Sequence, residues 1–394
     1  MVGNRPYGSG QMPTSDAEIP PERLRERIDA IPALSAVRAA AAGLDAYLVG
    51  GAVRDLIRGL DRIDLDVAVQ APPDAVAAMA LRVDPAARIH DRFGTATARV
   101  AGADVDLATT RAEAYEHPGA LPRVRPATLA DDLARRDFTI NAMAVPLAGE
   151  PRLVDPHGGH GDLEARRLRV LHDRSFEDDP TRALRAGRYA ARLGLRVDSR
   201  TADLLRTVDL ATVSADRAEA ELRRLAAEPD PVAALRLLVE WGVVEADTEL
   251  AGATLRVLDE ARWGAIADRA TAFLAAGGVR AGRYRAPPGA DRARGLAVLP
   301  ALSPSELTAR ARGHAGAELA IARALGAEWL DRYLDDWRGV RLEIGGRDLL
   351  AAGVAEGPAI GRGLEAALAA KLDGRVEGRE EELAEALAAA RADD

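Results

Sequence analysis

The sequence predicts an α+β head, a small mixed sheet with helices, followed by an all-α remainder. Three observations predict it. Up to about residue 155, short β-rich runs alternate with helical stretches, as in "AYLVGG", "AVRDLIRGL" and "RIDLDVAV". From Asp162 onward the chain is rich in Ala, Leu, Arg and Glu at helical spacing, with few β-branched runs. Apolar residues make up 48% of the 394 residues but aromatics only 4%, so the cores must be built from Ala, Leu and Val. A chain of this length divides into about two to four compact units.

The elements follow in order. The opening twenty residues are polar, Gly- and Pro-rich and without an apolar signal core; residues 1–25 are expected to form a disordered leader. Residues 21–42 carry a helical apolar rhythm after a Pro-Pro start. "AYLVGG" reads as a short buried strand ending in a tight turn, "AVRDLIRGL" as a helix and "RIDLDVAV" as an alternating strand. "TATARVAGADVDLATTR" reads as a hairpin around Ala101–Gly102. Residues 115–128 hold three prolines and read as a mobile loop. Gly and Pro clusters near 229–231, 276–289 and 353–361 punctuate the helical half, and the acidic stretch 377–392 reads as a solvated surface helix.

Composition excludes several classes of function. There is no cysteine, so disulfides, thiolate metal sites and thiol nucleophiles are absent. No apolar run approaches the ~20 residues that span a bilayer, and a cytoplasmic protein without a membrane partner is expected. The net charge of −9 argues at first against a nucleic-acid partner, but the charge is segregated. Between Arg166 and Arg200 ten arginines face five acids, whereas the last twenty residues are acidic. Lys371 is the only lysine, so nearly every cation is a guanidinium. Guanidinium is the better fork for phosphates and base edges.

"LVGGAVRDLIRGLDRIDLDVAV", residues 48–69, concentrates chemistry. Side chains two apart on a strand share a face, so Asp64 and Asp66 project together while Leu65 and Val67 turn inward. Two neighbouring carboxylates repel unless a cation lies between them, and hard oxygen ligands suit magnesium. Gly50 and Gly51 let backbone amides approach phosphate oxygens, and the helix starting near Ala52 adds its positive end. Arg54 is placed to hold a phosphate, and Asp55 reads as a first-turn stabiliser of the helix. Neither G-x-x-x-x-G-K-[ST] nor a G-x-G-x-x-G after this strand is present.

Gly50, Gly51, Arg54, Asp55, Asp64 and Asp66 closely resemble the signature of the DNA polymerase beta nucleotidyltransferase superfamily. More narrowly, they resemble class II tRNA nucleotidyltransferases and bacterial poly(A) polymerases. The resemblance implies a nucleotidyltransferase head at 26–155, a helical neck at 156–225, a body at 226–335 and an RNA-binding tail at 336–394. It implies catalytic Asp64 and Asp66 as magnesium ligands, with a third acid at Asp106; Asp104 shares that face. "RRDFTINA" recurs in the family almost letter for letter. By that likeness Arg136 is a nucleotide ligand, and Asp137 and Asn141 are ribose or supporting contacts. "VDPHGGHGDLEARRLRVL" matches its hinge segment at Asp155, Gly158, Gly159 and Asp162; His157 and His160 read as loop residues.

In "FEDDPTRALRAGRYAARLGLRVD", Arg182, Arg185, Arg188, Arg192 and Arg196 fall within an arc of about 120° on one helical face. The bland reading is a cationic face clamped by acids; the functional one is a rail for triphosphate and base. The resemblance makes Asp179 and Arg182 the pair that reads the incoming base, with Asp178 where the family has Glu. It makes Arg185 and Arg188 phosphate ligands. A carboxylate acceptor beside a guanidinium donor can read C and A while rejecting U and G. "SADRAEAEL" matches a structural helix of the family at Ser214, Arg217 and Glu221, and Gly353, Gly357 and Gly361 could let backbone approach RNA phosphate. The pairs His90-Asp91 and His172-Asp173 do not make a phosphohydrolase, because His314 is the only later histidine.

The expected activity is addition of CCA to the tRNA 3′ end from CTP and ATP, with Mg2+ and no protein partner. The alternatives are CC-adding, A-adding or poly(A)-adding relatives, a non-catalytic RNA-binding protein and a nucleotide-binding regulator.

Overall fold

A computed structural model describes residues 19–41, 43–60, 63–90, 94–300 and 302–392. By internal packing the chain divides into two units. One comprises residues 1–221, 228–244 and 281–283; the other comprises 222–227, 245–280 and 284–394. No helix among the described residues is long and apolar enough to cross a membrane.

The first unit opens with α1 (Pro21–Asp29) and α2 (Pro32–Ala40), each with proline in its first turn, where the missing N–H costs no helical bond. The leader read over 1–25 lies outside the described residues as far as residue 18. Its last part differs from expectation, because α1 begins at Pro21 and buries Leu24 completely. The sheet follows as β1 (Ala46–Val49), β2 (Leu65–Val69), β3 (Arg88–His90), β4 (Thr95–Val100) and β5 (Ala103–Thr109). Helices α3 (Gly51–Arg58) and α4 (Pro73–Val83) connect them. With β8 (Ala144–Pro146) the strand order is β3-β4-β5-β2-β1-β8.

The sheet is mixed because β2 and β5 run parallel while its other pairs are antiparallel. The β4–β5 hairpin turns at Ala101–Gly102, both at positive φ, in the sense that matches strand twist. Leu65 and Val67 face the core beside Leu48, Val105 and Leu107, so the alternation read in "RIDLDVAV" is realised.

The 115–128 stretch departs from a loop. Its end, β7 (Arg123–Pro126), pairs with β6 (Arg111–Ala114), and Pro126 sits at the strand end, where its lack of an N–H is tolerated. The turn between them is tied down: Gly119 donates its N–H to the Glu177 carbonyl, and its own carbonyl accepts from Arg217 at 2.7 Å. Helix α5 (Leu129–Ala134) begins at Thr128, which shares a capping box with Asp131.

Beyond the sheet come α6 (Gly159–Glu164), α7 (Ser175–Asp178), α8 (Thr181–Leu193), α9 (Ser199–Leu205), α10 (Ala215–Ala226) and α11 (Pro231–Glu240). The helical run is interrupted by a two-residue parallel ladder, β9 (Arg167–Leu168) with β10 (Arg196–Val197). The division expected at 225–226 falls inside α10, and α11 packs back on α8 through Leu238 against Gly187. Gly159 opens α6 directly on the Thr139 carbonyl, where any Cβ would overlap backbone. Asp162 then accepts from Thr139 Oγ1 at 2.6 Å and Arg169 Nε at 2.9 Å.

The second unit is built mainly from helices between Thr248 and Arg391. Trp263, Ile321 and Leu330 centre one core. Leu349, Ala367 and Ala386 centre another, between the last two helices, Pro358–Leu372 and Gly378–Arg391. There Glu382, fully buried, accepts from Lys371 Nζ at 2.5 Å and from the Glu343 N–H at 2.7 Å.

Gly159→Ala is expected to destabilise the first unit by about 1–3 kcal/mol, because the Thr139 turn must move to admit a methyl group. A urea midpoint equal to that of the parent chain would show that the contact is not tight.

Candidate active site

The β1–α3 turn places the first group of residues. Gly50 has φ 68° and ψ −132°, and its N–H donates to the Met143 carbonyl at 3.1 Å. The backbone angle demands glycine, and a Cβ there would also push the Arg136 guanidinium aside. Gly51 starts α3, and Arg54 is almost fully buried in it. Arg54 donates Nε and Nη2 to the two oxygens of Asp55, both at 2.8 Å, and Nη1 to Asn141 Oδ1 at 2.5 Å. Asp55 lies beyond the first turn of α3, so the first-turn stabilising role read from sequence is replaced. It is the carboxylate that fixes the Arg54 fork.

The acids converge on the sheet face. Asp64 immediately precedes β2 and is exposed; Asp66 lies on β2 and is the register partner of Asp106 on the parallel strand β5. Burial, together with Asp106 and Asp64 beside it, pushes the Asp66 carboxyl up to about 6 against the pull of Arg136 and Arg54. Asp106 accepts from Thr97 Oγ1 at 2.7 Å, whereas Asp104 is held in an ion pair with Arg99 at 3.0 Å. The donors are hard carboxylate oxygens, and a divalent cation would relieve the repulsion that raises Asp66; the residues therefore fit magnesium. Among the described residues no three His, Cys, Asp or Glu side chains gather closely enough to hold a cation unaided. The other ligands would have to be phosphate and water, which magnesium accepts readily.

A second group stands beside them. Asp132, buried under α5, receives Arg135 Nη2 at 2.7 Å and Arg136 Nη2 at 2.9 Å. Burial opposes its ionisation, but those two guanidinium groups hold it below the usual carboxylate range. Glu113 accepts from Arg135 Nη1 and from the Tyr115 hydroxyl, both at 2.8 Å. Burial, and then the Glu113 charge, pushes the Tyr115 phenol up, so it stays a neutral donor. Asp137 accepts from Asn141 Nδ2 at 3.0 Å and from the Phe138 N–H at 2.8 Å. Although buried, it is held ionised by Arg185, whose Nε lies 3.2 Å from Asp137 Oδ2.

Helix α8 closes the cavity. Asp179 accepts from the Thr181 hydroxyl at 2.6 Å and from Arg217 Nη2 at 2.9 Å, and its second oxygen lies 3.6 Å from Arg185. Arg182 is buried, donating to Ser175 Oγ at 2.9 Å and to the Arg135 carbonyl at 2.7 Å. Arg188 pairs with Glu221 at 3.0 Å and Glu228 at 3.2 Å, and Arg192 with Glu228 at 3.6 Å. Acids do clamp this face: Asp137 and Asp179 at Arg185, and Glu221 of α10 and Glu228 after it at Arg188 and Arg192. Arg196 does not extend the row: α8 ends at Leu193 with Gly194 in the left-handed region, and Arg196 lies on β10. Tyr189, edge-on to Phe138, is flanked by Arg54, Arg188 and Arg192 at 5.5, 5.2 and 5.4 Å from its ring centre.

A cavity of about 440 Å3 results. It collects Gly51, Arg54, Asp64, Asp66, Arg136, Asp137, Asn141, Asp179, Arg182, Arg185 and Arg188. Gly50 lies behind Arg136, and Asp106 lines an adjoining groove that shares Asp66. The Nε atoms of Arg136 and Arg182 are buried without a hydrogen-bond partner, donors available to an anion. His157 and His160 stay in the α6 turn, where Asp155 accepts the Gly159 and His160 N–H groups. Sequence reasoning missed Arg111, Glu113, Tyr115, Arg135 and Tyr189 as cavity residues. The signal for three of them was "RAEAY", whose functional groups recur at every second position of a strand.

Residues 46–169 match the poly A polymerase head domain. The likeness to that family is carried by this stretch of the chain. Relatives of this poly A polymerase-type head include the A-adding tRNA nucleotidyltransferase of Halalkalibacterium halodurans. It is 40% identical over 215 residues, covering 52% of this chain and 50% of the relative. The CC-adding tRNA nucleotidyltransferase of Deinococcus radiodurans is 45% identical over 202 residues, covering 50% and 53%. The matches thus span about half the length of these relatives. A CCA-adding enzyme in an apo form is similar over 94% of this chain and 96% of its own, with 28% identity and a TM-score of 0.79. The Thermotoga maritima CCA-adding enzyme complexed with tRNA is similar over 93% and 97%, with 27% identity and a TM-score of 0.71.

Because folded Asp66 binds its proton more tightly than an ordinary Asp, its contribution to stability is greatest near pH 4 and declines as pH rises to about 6. Without divalent cations, Asp66→Asn is expected to be about 3 kcal/mol more stable than the parent at pH 7 and nearly equal to it at pH 4. Urea midpoints at both pH values measure this; equal stability at pH 7 would contradict the raised value.

Proposed function

We propose that the chain is a template-independent RNA nucleotidyltransferase that adds CCA to the tRNA 3′ end from CTP and ATP, releasing pyrophosphate. One observation carries the reading: Asp64 and Asp66 line the same cavity as Asp179 and Arg182, so groups suited to phosphoryl transfer and to base reading share one space. Likeness to the tRNA-bound Thermotoga enzyme and to A- and CC-adding relatives supports the substrate class.

Asp64 and Asp66 would hold Mg2+, which when bound supplies charge neutralisation at the α-phosphate and lowers the pKa of the attacking hydroxyl. The remaining roles belong to this chain's own side chains. The Gly50–Gly51 turn admits the triphosphate against the start of α3. Arg136 and Arg185 present guanidinium groups to it, and Arg188, though paired with acids, stands beside them. Arg54, held by Asp55 and Asn141, acts as a fixed positive charge behind the phosphates. Asp179 accepts and Arg182 donates at the base edge, so that C and A satisfy both groups while U and G leave one unmatched. The tRNA is held by backbone and shape.

The test presents tRNAs ending before CCA, after the first C and after the second C, with each nucleoside triphosphate separately. Two C additions and one A addition are expected. A on the last substrate alone would make the enzyme A-adding, runaway A on any RNA a poly(A) polymerase, and bound RNA without product a binding protein. Asp64→Ala and Asp66→Ala are expected to abolish incorporation with RNA affinity nearly intact. Asp179→Ala is expected to relax base choice; unchanged selectivity for C and A would remove Asp179 from that role.

A further inference from the structure

The nucleotide cavity is not alone on the sheet face. A groove of about 440 Å3 continues from it across β2, β5 and β4, with Asp106, Thr95, Thr97 and Ala108 in its lining. The two spaces share Asp66, Arg111, Arg135 and Arg136. A polymerising site needs two substrates, one bringing the triphosphate and one the hydroxyl. The groove reaches the same carboxylates from the other side.

Three guanidinium groups stand at the junction, and they are unequally committed. Arg135 is engaged through all three nitrogens, with Asp132 and Glu113. Arg136 donates to Asp132 and leans on the Gly50 turn. Arg111 has one ion pair, a 3.4 Å approach to Glu113, whose carboxylate already accepts from Arg135 and Tyr115 at 2.8 Å. Its Nε is buried without a hydrogen-bond partner. Burial, and then the nearby Arg135 charge, weaken its hold on the proton more than Glu113 and Asp132 strengthen it. The shared carboxylates leave the groove suited to ribose hydroxyls and divalent cations, while Arg111 supplies what a phosphodiester needs.

We propose that the groove receives the 3′ end of the acceptor RNA and that Arg111 binds a phosphodiester next to its terminal nucleotide. The inference rests on the polymerase reading above, since only an acceptor brings a phosphodiester to this side of the carboxylates. Thr97, which donates to Asp106, orients that carboxylate toward the end of the chain.

The experiment compares Arg111→Gln and Arg111→Lys with the parent, each confirmed folded by circular dichroism and thermal melting. In steady-state addition to a CCA-lacking tRNA, Arg111→Gln is expected to raise KM for the acceptor about tenfold. KM for CTP and ATP should stay within twofold and the order of C and A should be unchanged. Arg111→Lys keeps the charge without the fork and should restore part of the loss. Binding of a short single-stranded RNA across salt concentrations gives a second measure: losing one phosphate contact should make the log–log slope shallower by about 0.7. A rise in KM for CTP or ATP instead would assign Arg111 to the triphosphate and overturn the inference. Unchanged acceptor KM and unchanged salt slope would make it only a partner of Glu113. If the parent adds no nucleotide yet Arg111→Gln changes the salt slope, the polymerase reading fails and the RNA contact stands.

Discussion

One alternating chain of charges holds the site together. Asp55 grips Arg54, Arg54 grips Asn141, Asn141 grips Asp137, Asp137 faces Arg185, and Arg185 faces Asp179, which Arg217 secures from α10. Three of its links, Arg54 to Asn141, Asp137 to Arg185 and Asp179 to Arg217, join segments distant in sequence: α3, the Thr139–Asn141 turn, α8 and α10. Arg54, Asp137 and Asn141 are buried and the other members half-buried; an unpaired buried charge costs several kcal/mol, so the middle of the chain tolerates few vacancies. It sets the distance between the end that handles phosphate and the end that handles the base.

The same arrangement explains why the cavity is cationic in a protein of net charge −9. Arginines outnumber acids in its lining, and further acids lie behind them: Asp132 behind Arg135 and Arg136, Glu221 and Glu228 behind Arg188. Backing carboxylates fix the orientation of each guanidinium and leave other edges for an incoming anion. Tyr189 adds a neutral surface on which three of these cations rest, separating like charges that would otherwise repel without any shielding.

Much of this was legible in local pattern. The glycine turn, the carboxylates two apart, the strand alternation and the arginine face of α8 each follow from spacing within a dozen residues. What was not legible depends on pairing between distant segments. That Asp106 stands beside Asp66 follows from a parallel register between strands some forty residues apart, which no local periodicity encodes. Asp55 was misassigned because α3 begins at Gly51, which leaves Asp55 past the first turn, paired with Arg54. The stretch after Tyr115 read as a loop on its prolines, but "RVRP" pairs with "RAEA" because its proline falls at the end of the ladder. Arg196 was counted into the helix because helical phase continues past Gly194, where the backbone stops.

The ion pair between Lys371 and Glu382 has a practical consequence. In a chain with a single lysine, that ammonium is the sole primary amine on any side chain. It sits between the last two helices, partly open to solvent, with its partner sealed inside. Amine-directed chemistry on this protein therefore addresses one defined point, besides the chain's own amino terminus. A reagent arriving there must first part the nitrogen from a carboxylate that has nowhere else to find a positive charge.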